Sequence, residues 1–95
     1  MNTPNKPKDV NFVEHLTPGT MYMVYWKQQG GNYRWSMKAA TWKFIGFNKN
    51  GDPIWSGRPV CGTQDMDAAN FIKATPVPQN TKPTVPRRIG EWTNA

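Results

Sequence analysis

The 95-residue chain carries 12 Lys and Arg against 6 Asp and Glu, a formal charge of +6 at pH 7, and 13% of its residues are aromatic. Its length suits one domain and excludes two, since a domain needs roughly 50 to 200 residues, and at this size only about 60 to 70% of the unfolded chain's surface is buried, so some rings stay partly wet. No apolar run reaches the roughly 18 residues that span a bilayer or resembles a signal peptide, and a single cysteine, Cys61, excludes an internal disulfide; the expected setting is the reducing cytoplasm.

Residues 1–11 are polar, with Pro4 and Pro7 removing backbone donors and Lys6 and Lys8 adding charge, and read as a flexible arm. TPGT, Thr17 to Thr20, is a turn signal, because Pro18 presets its own φ and Gly19 accepts a positive one. TMYMVYWK, Thr20 to Lys27, holds aromatic and β-forming residues without Gly or Pro and reads as a strand. Tyr25 and Trp26 make both of its faces apolar, and an antiparallel strand of that kind is covered twice or faces a partner. The paired glycines of QQGGN then predict a hairpin loop.

From Tyr33 to Ala40 the sequence alternates: Tyr33, Trp35, Met37 and Ala39 fall on one face, and Arg34, Ser36, Lys38 and Ala40 on the other. The first set is expected to be core and the second a basic, solvated face. Continuing through TWKFIGFN, Ile45 and Phe47 keep the phase of the expected core, whereas Trp42 and Phe44 break it. A bulge near Ala39 and Ala40, or a bend between two strands, would reconcile the two halves. The out-of-phase rings either plug a second small core under the loops or form a docking face.

Asn50-Gly51 is a strong hairpin signal with a primed turn. PIWSGRP, Pro53 to Pro59, is the return strand, and VCGTQ a loop. DMDAANFI, Asp65 to Ile72, reads as one helical turn capped by Asp65 or Asp67, followed by a last short strand, FIKAT. From Pro76 the chain holds four prolines in eleven residues, which do not suit a sheet interior, and an extended tail ending in Trp92 is expected.

The predicted fold is mainly β: a small antiparallel barrel of about five strands with one short helical turn, occupying residues 12–75 between the arm of 1–11 and a Pro-rich basic tail of 76–95. This order of elements, from Thr20 to Thr75, resembles the SH3-like barrels, a superfamily that includes Tudor and KOW domains. WSGRPVCGTQ is also similar to segments of small proteins from bacteriophages that infect actinobacteria. The superfamily resemblance implies binding of peptides, modified side chains or nucleic acid, but fixes no ligand and transfers no site residue.

Enzymatic chemistry is not expected. His15 and Cys61 are the only residues of their kinds and sit far apart in sequence, and Asp65 with Asp67 is better explained as a helix start. Counted as a calcium loop from Asp65, the chain supplies Asn70 and Pro76 where Gly and Glu are needed; no zinc cluster or phosphate loop is present, so neither metal nor cofactor is expected. What stands out is cations interleaved with rings. Lys27, Arg34, Lys38, Lys43 and Arg58, with Trp42 and Phe44 and the tail pair Arg87 and Arg88, are the candidate ligand-binding residues, suited to bases stacking on rings while phosphates pair with Lys and Arg. Trp35, Ile45, Phe47 and Trp55 are expected in the core. The expected partner is DNA or RNA, or alternatively a protein, such as a host protein gripped by a phage-encoded factor; no membrane contact is expected, and the chain should be a monomer or weak dimer. PTVPRR, Pro83 to Arg88, also fits a PxxP-plus-basic peptide ligand.

Overall fold

The computed structural model describes residues 8–29, 34–56 and 70–92, and of the last two of these the backbone. Met21–Gln29 form β1, Trp35–Phe47 β2, Pro53–Ser56 β3, Phe71–Pro76 β4 and Arg87–Trp92 β5. All five belong to one antiparallel sheet, so the mainly β class and strand number follow the sequence expectation. The helical element among the described residues is a 3-10 turn at Val13–His15. The turn expected to start at Asp65 falls largely outside the described residues, and Phe71 and Ile72 already belong to β4. No described helix is long and apolar enough to cross a membrane.

Strand β2 organises the sheet. It runs for 13 residues without a break. One edge holds β1 in unbroken register from Met21↔Lys43 to Gln29↔Trp35, so the bulge expected at Ala39 and Ala40 is absent from that pairing. The other edge is shared, with β3 along residues 43–47 and β5 along residues 35–39. Register shifts fall instead between Phe44 and Gly46 against β3, and between Met37 and Lys38 against β5. Beyond β1 lies β4, and Val10 bridges to Ala74 on β4.

The Asn-Gly hairpin forms between β2 and β3, with a turn different from the one predicted. Gly51 N–H donates to Asn48 O at 3.0 Å, which puts Lys49 and Asn50 at the turn centre and Gly51, with φ of 87°, after them. The Asn48 side-chain oxygen accepts from the N–H groups of Asn50 and Asp52 at 2.8 and 3.0 Å, an Asx device that fixes the longer loop.

The core lies on one face of the sheet. Tyr22, Val24 and Trp26 of β1 pack with Ala40, Trp42 and Phe44 of β2, Trp55 of β3 and Ala74 of β4, and Leu16 closes over them with Val10 and Val13. Ring centroids of Trp42 lie 5.0 Å from Trp26 and 6.2 Å from Trp55, and those of Phe44 and Trp55 lie 5.2 Å apart. Burying large side chains such as Trp42 and Phe44 contributes about 1.5 to 3 kcal/mol each or more.

The phase expected for β2 is therefore inverted. Trp42 and Phe44 are 1% and 0% exposed, whereas Ile45 and Phe47 are 50% and 43% exposed. Trp55 is core as expected, and Trp35 is half-buried on the opposite face. The reason is positional: the core sits beneath residues 40–44, where β1, β2 and β3 overlap, and the regular alternation of residues 33–39 describes the part of β2 beyond it. Ile45 keeps the outward phase of Lys43, and the register shift between Phe44 and Gly46 returns Phe47 to the inner phase, where it packs edge-on against Phe44 at 5.1 Å.

The Pro-rich segment is also corrected. Residues 77–86 form a strap rather than a tail apart from the sheet. On leaving β4, Val77 N–H donates to Met21 O at 3.0 Å; the Thr41 hydroxyl then donates to Lys82 O at 2.8 Å. Thr84 N–H donates to Thr41 O at 3.0 Å and the Thr84 hydroxyl oxygen accepts from Thr41 N–H at 2.8 Å, filling the stretch of β2 edge left between β3 and β5. The prolines fall where the strap crosses, and the proline-free run Arg87–Trp92 pairs as an edge strand. Similarly, the expected arm of residues 1–11 is pinned at Val10, whose N–H donates to Ala74 O at 2.6 Å and whose carbonyl accepts from Ala74 N–H at 2.8 Å.

Candidate functional site

Side chains of β1 alternate between the core and the opposite face, and the register places Tyr25 beside Ala39, which is itself beside Arg87, with Lys73 on the far side of Tyr25. Arg87, Ala39, Tyr25 and Lys73 thus form one row across β5, β2, β1 and β4. At about 4.8 Å between strands, the row spans roughly 14 Å. The next row in the same phase pairs Lys27 with Met37.

The cations are seated on the rings. Lys73 Nζ lies 5.0 Å from the Tyr25 ring centre, and Lys27 Nζ lies 5.3 Å from that of Trp35. Such contacts contribute about 0.5 to 1 kcal/mol at exposed sites, enough to bias long side chains towards one position. Met23, Tyr25, Trp35 and Met37 are all half-buried, so the face offers apolar surface between positive charges. Higher on the same face, Met21 and Thr41 are 4% and 3% exposed; there the strap meets the sheet through the Val77 and Lys82 bonds already described. The strap closes the upper part of the face and leaves the lower part, with its cations, uncovered.

Among the described side chains, one carboxylate borders the row. Asp9 Oδ1 accepts from the Thr75 hydroxyl at 2.6 Å, and Asp9 Oδ2 lies 3.5 Å from Lys73 Nζ. The Thr75 hydrogen bond, with the Lys73 charge adding to it, holds the Asp9 carboxyl below its ordinary pKa.

Of the residues expected at the site, Lys27 and Arg87 are brought together on this face. Lys43 is exposed at its upper end, paired with Met21. Lys38 and Arg88 pair with each other and follow the phase of Trp26 on the core side, at its lower end. Arg34 is exposed just before β2. Trp42 and Phe44 are sealed in the core and cannot dock a ligand; Trp42 Nε1 donates inward to the strap, to Thr84 O at 2.9 Å. Arg58 and Cys61 lie outside the described residues, and His15 is exposed with Nε2 3.9 Å from Glu14 Oε2. The PTVPRR peptide motif is docked on this chain's own β2 through Thr84 and Arg87.

Sequence reasoning missed Lys73 and placed Trp35 in the wrong layer. Lys73 stands in a strand of six residues, too short to declare its faces, and only its pairing with Tyr25 puts it on the same face as Lys27 and at the far end of the row from Arg87. The signal within reach was the doubly apolar β1: a strand with rings on both faces requires a second covered or occupied face. No family model, curated protein or solved structure matches the chain.

Proposed function

We propose that the protein is a non-enzymatic binding module for nucleic acid, working in a cytoplasmic setting, and that its contact surface is the lower part of the face opposite the core. The observation that carries this reading is the row of Arg87, Tyr25 and Lys73 with Lys27 alongside: three cations and two half-buried rings on one side of the sheet, in a chain of net charge +6. Cations held on rings are partly ordered before a ligand arrives, which lowers the entropy cost of pairing with phosphates. The SH3-like resemblance agrees with a binding role and supplies no ligand.

Fluorescence anisotropy with labelled oligonucleotides at 50 and 200 mM salt tests the reading. Affinity should fall steeply with salt, and each phosphate contact removed by mutation should flatten the log–log slope by about 0.7 to 1. The combined change Lys27→Ala, Lys73→Ala, Arg87→Ala should lower affinity at least about tenfold at low salt while the circular dichroism spectrum stays that of the folded chain. Wild-type affinity in that variant would sink the proposal.

A second reading, a module that grips a protein such as a phage-encoded factor's host target, is favoured by one other observation. Ile45 and Ile54 are 50% and 42% exposed beside the hairpin of β2 and β3, and Phe47 is 43% exposed at the same end of the sheet. Binding there would be insensitive to salt and to the three cations.

A further inference from the structure

Beneath the strap, next to Arg87, the structure contains a cavity of about 240 Å³ lined by Met23, Ala39, Ala40, Thr84, Val85 and Arg87. Its volume is below the roughly 300 to 1,000 Å³ of pockets that enclose a drug-sized ligand, and so suits one ring system rather than a whole cofactor. Its walls are mostly apolar. The polar groups that Thr84 presents are turned to other work: N–H and hydroxyl oxygen to Thr41, carbonyl to Trp42. The charged residue in this lining is Arg87, one strand pairing away from Ala39 and in line with Tyr25 and Lys73.

Resting on the nucleic-acid reading above, we infer that this cavity is a slot for a single unpaired base, with the attached phosphate on Arg87 and the strand continuing across Tyr25 towards Lys73. Charge complementarity selects the occupant. An apolar ring alone would leave the Arg87 charge without an anion, and an anion alone would leave Met23 and Val85 unused, whereas a nucleotide supplies both parts joined at the right scale. A base within a duplex is stacked on both sides and cannot enter, so the site selects single strands. Because Thr84 spends its hydrogen-bonding groups inside the protein and the other lining side chains apart from Arg87 are apolar, the slot discriminates weakly among the four bases; selection rests on the presence of a base and not its identity.

The test compares three probes of equal length on the full chain: oligothymidine, an abasic strand of the same charge, and a duplex. Oligothymidine should bind on the order of tenfold more tightly than the abasic strand or the duplex. Ala39→Met, which fills the slot, and Val85→Ala, which removes an exposed part of its wall, should each narrow that gap, while Lys27→Ala should weaken oligothymidine and abasic strand alike. Val85 is 68% exposed, so its truncation keeps the test open if Ala39→Met does not fold. Equal binding of oligothymidine and abasic strand overturns the slot and leaves the cationic face standing. A base preference unchanged in both slot variants also overturns it, placing base contact elsewhere. Failure of all three probes at low salt removes the nucleic-acid reading itself, and displacement of oligothymidine by polyglutamate of matched charge at equal concentration shows an acidic-chain site instead.

Discussion

The core face and the face opposite it are built from the same central strands, yet their rings meet different fates. On the core face, Trp26, Trp42, Phe44 and Trp55 close on one another and the segment of Val10 to Leu16 seals them. On the other, Tyr25 and Trp35 remain half-exposed, each with a lysine above it, and the strap covers only the upper end. Ring content alone therefore says little about a sheet's working side. What separates the two is the chemistry of the covering layer: aliphatic side chains make a core, while cations with water around them make a surface able to accept an anion.

The sharpest way to break this contrast is to remove one indole from each side. Trp42→Ala should cost about 3 to 5 kcal/mol in urea denaturation, through lost burial and the cavity left behind, whereas Trp35→Ala should cost less than about 1 kcal/mol. Similar costs would mean that both faces are cores. A smaller effect is expected at the strap. Thr84→Val keeps the shape of the side chain but strips the acceptor from Thr41 N–H, and should destabilise by about 1 to 3 kcal/mol in the same measurement. An unchanged midpoint would show that the strap rests on the sheet without anchoring it.

Below these come changes that leave stability nearly alone. Lys73→Ala should move the denaturation midpoint little but weaken oligonucleotide binding several-fold, and Lys38→Ala, in the core-side phase, should weaken it less. Equal losses would erase the distinction between faces. Smallest is Asp9→Asn, which removes the carboxylate 3.5 Å from Lys73 and should tighten polyanion binding less than about threefold. Asp9 also sets a pH sign. Its folded pKa is lowered, so its contribution to holding the leading segment is complete above the ordinary value of 3.8 and is lost as pH falls below that through the lowered value. The protection factor at Val10, exchange corrected for the amide's intrinsic pH dependence, should therefore fall at acid pH in the wild type and stay flat over that range in Asp9→Asn.

How much of this was legible in the chain depends on whether the cause was local. β1, the β2–β3 hairpin and β4 announce themselves through composition and turn chemistry, which act over a few residues. The alternation in residues 33–39 was also visible, but a period of two does not say which side is in. That is decided by where β3 and the Val10–Leu16 segment come to lie, both distant in sequence. Lys27 was legible as a cation near rings and Arg87 as one of a basic pair in the tail; their place on one face needed the register of β5 against β2, set by a strap whose prolines locally argue against any sheet. Lys73 had no sequence signal at all beyond its charge.

Because β5 docks on a strand some fifty positions earlier, and because among the described side chains the hydrophobic cluster draws none from the strap or from β5, the apolar half of the molecule can condense before that distant pairing closes. The row ending in Arg87 is then completed last during folding and loosened first during unfolding. Loss of that row should precede collapse of the indole cluster along a denaturant ramp, so that a chain with an intact interior has already lost the surface proposed for binding.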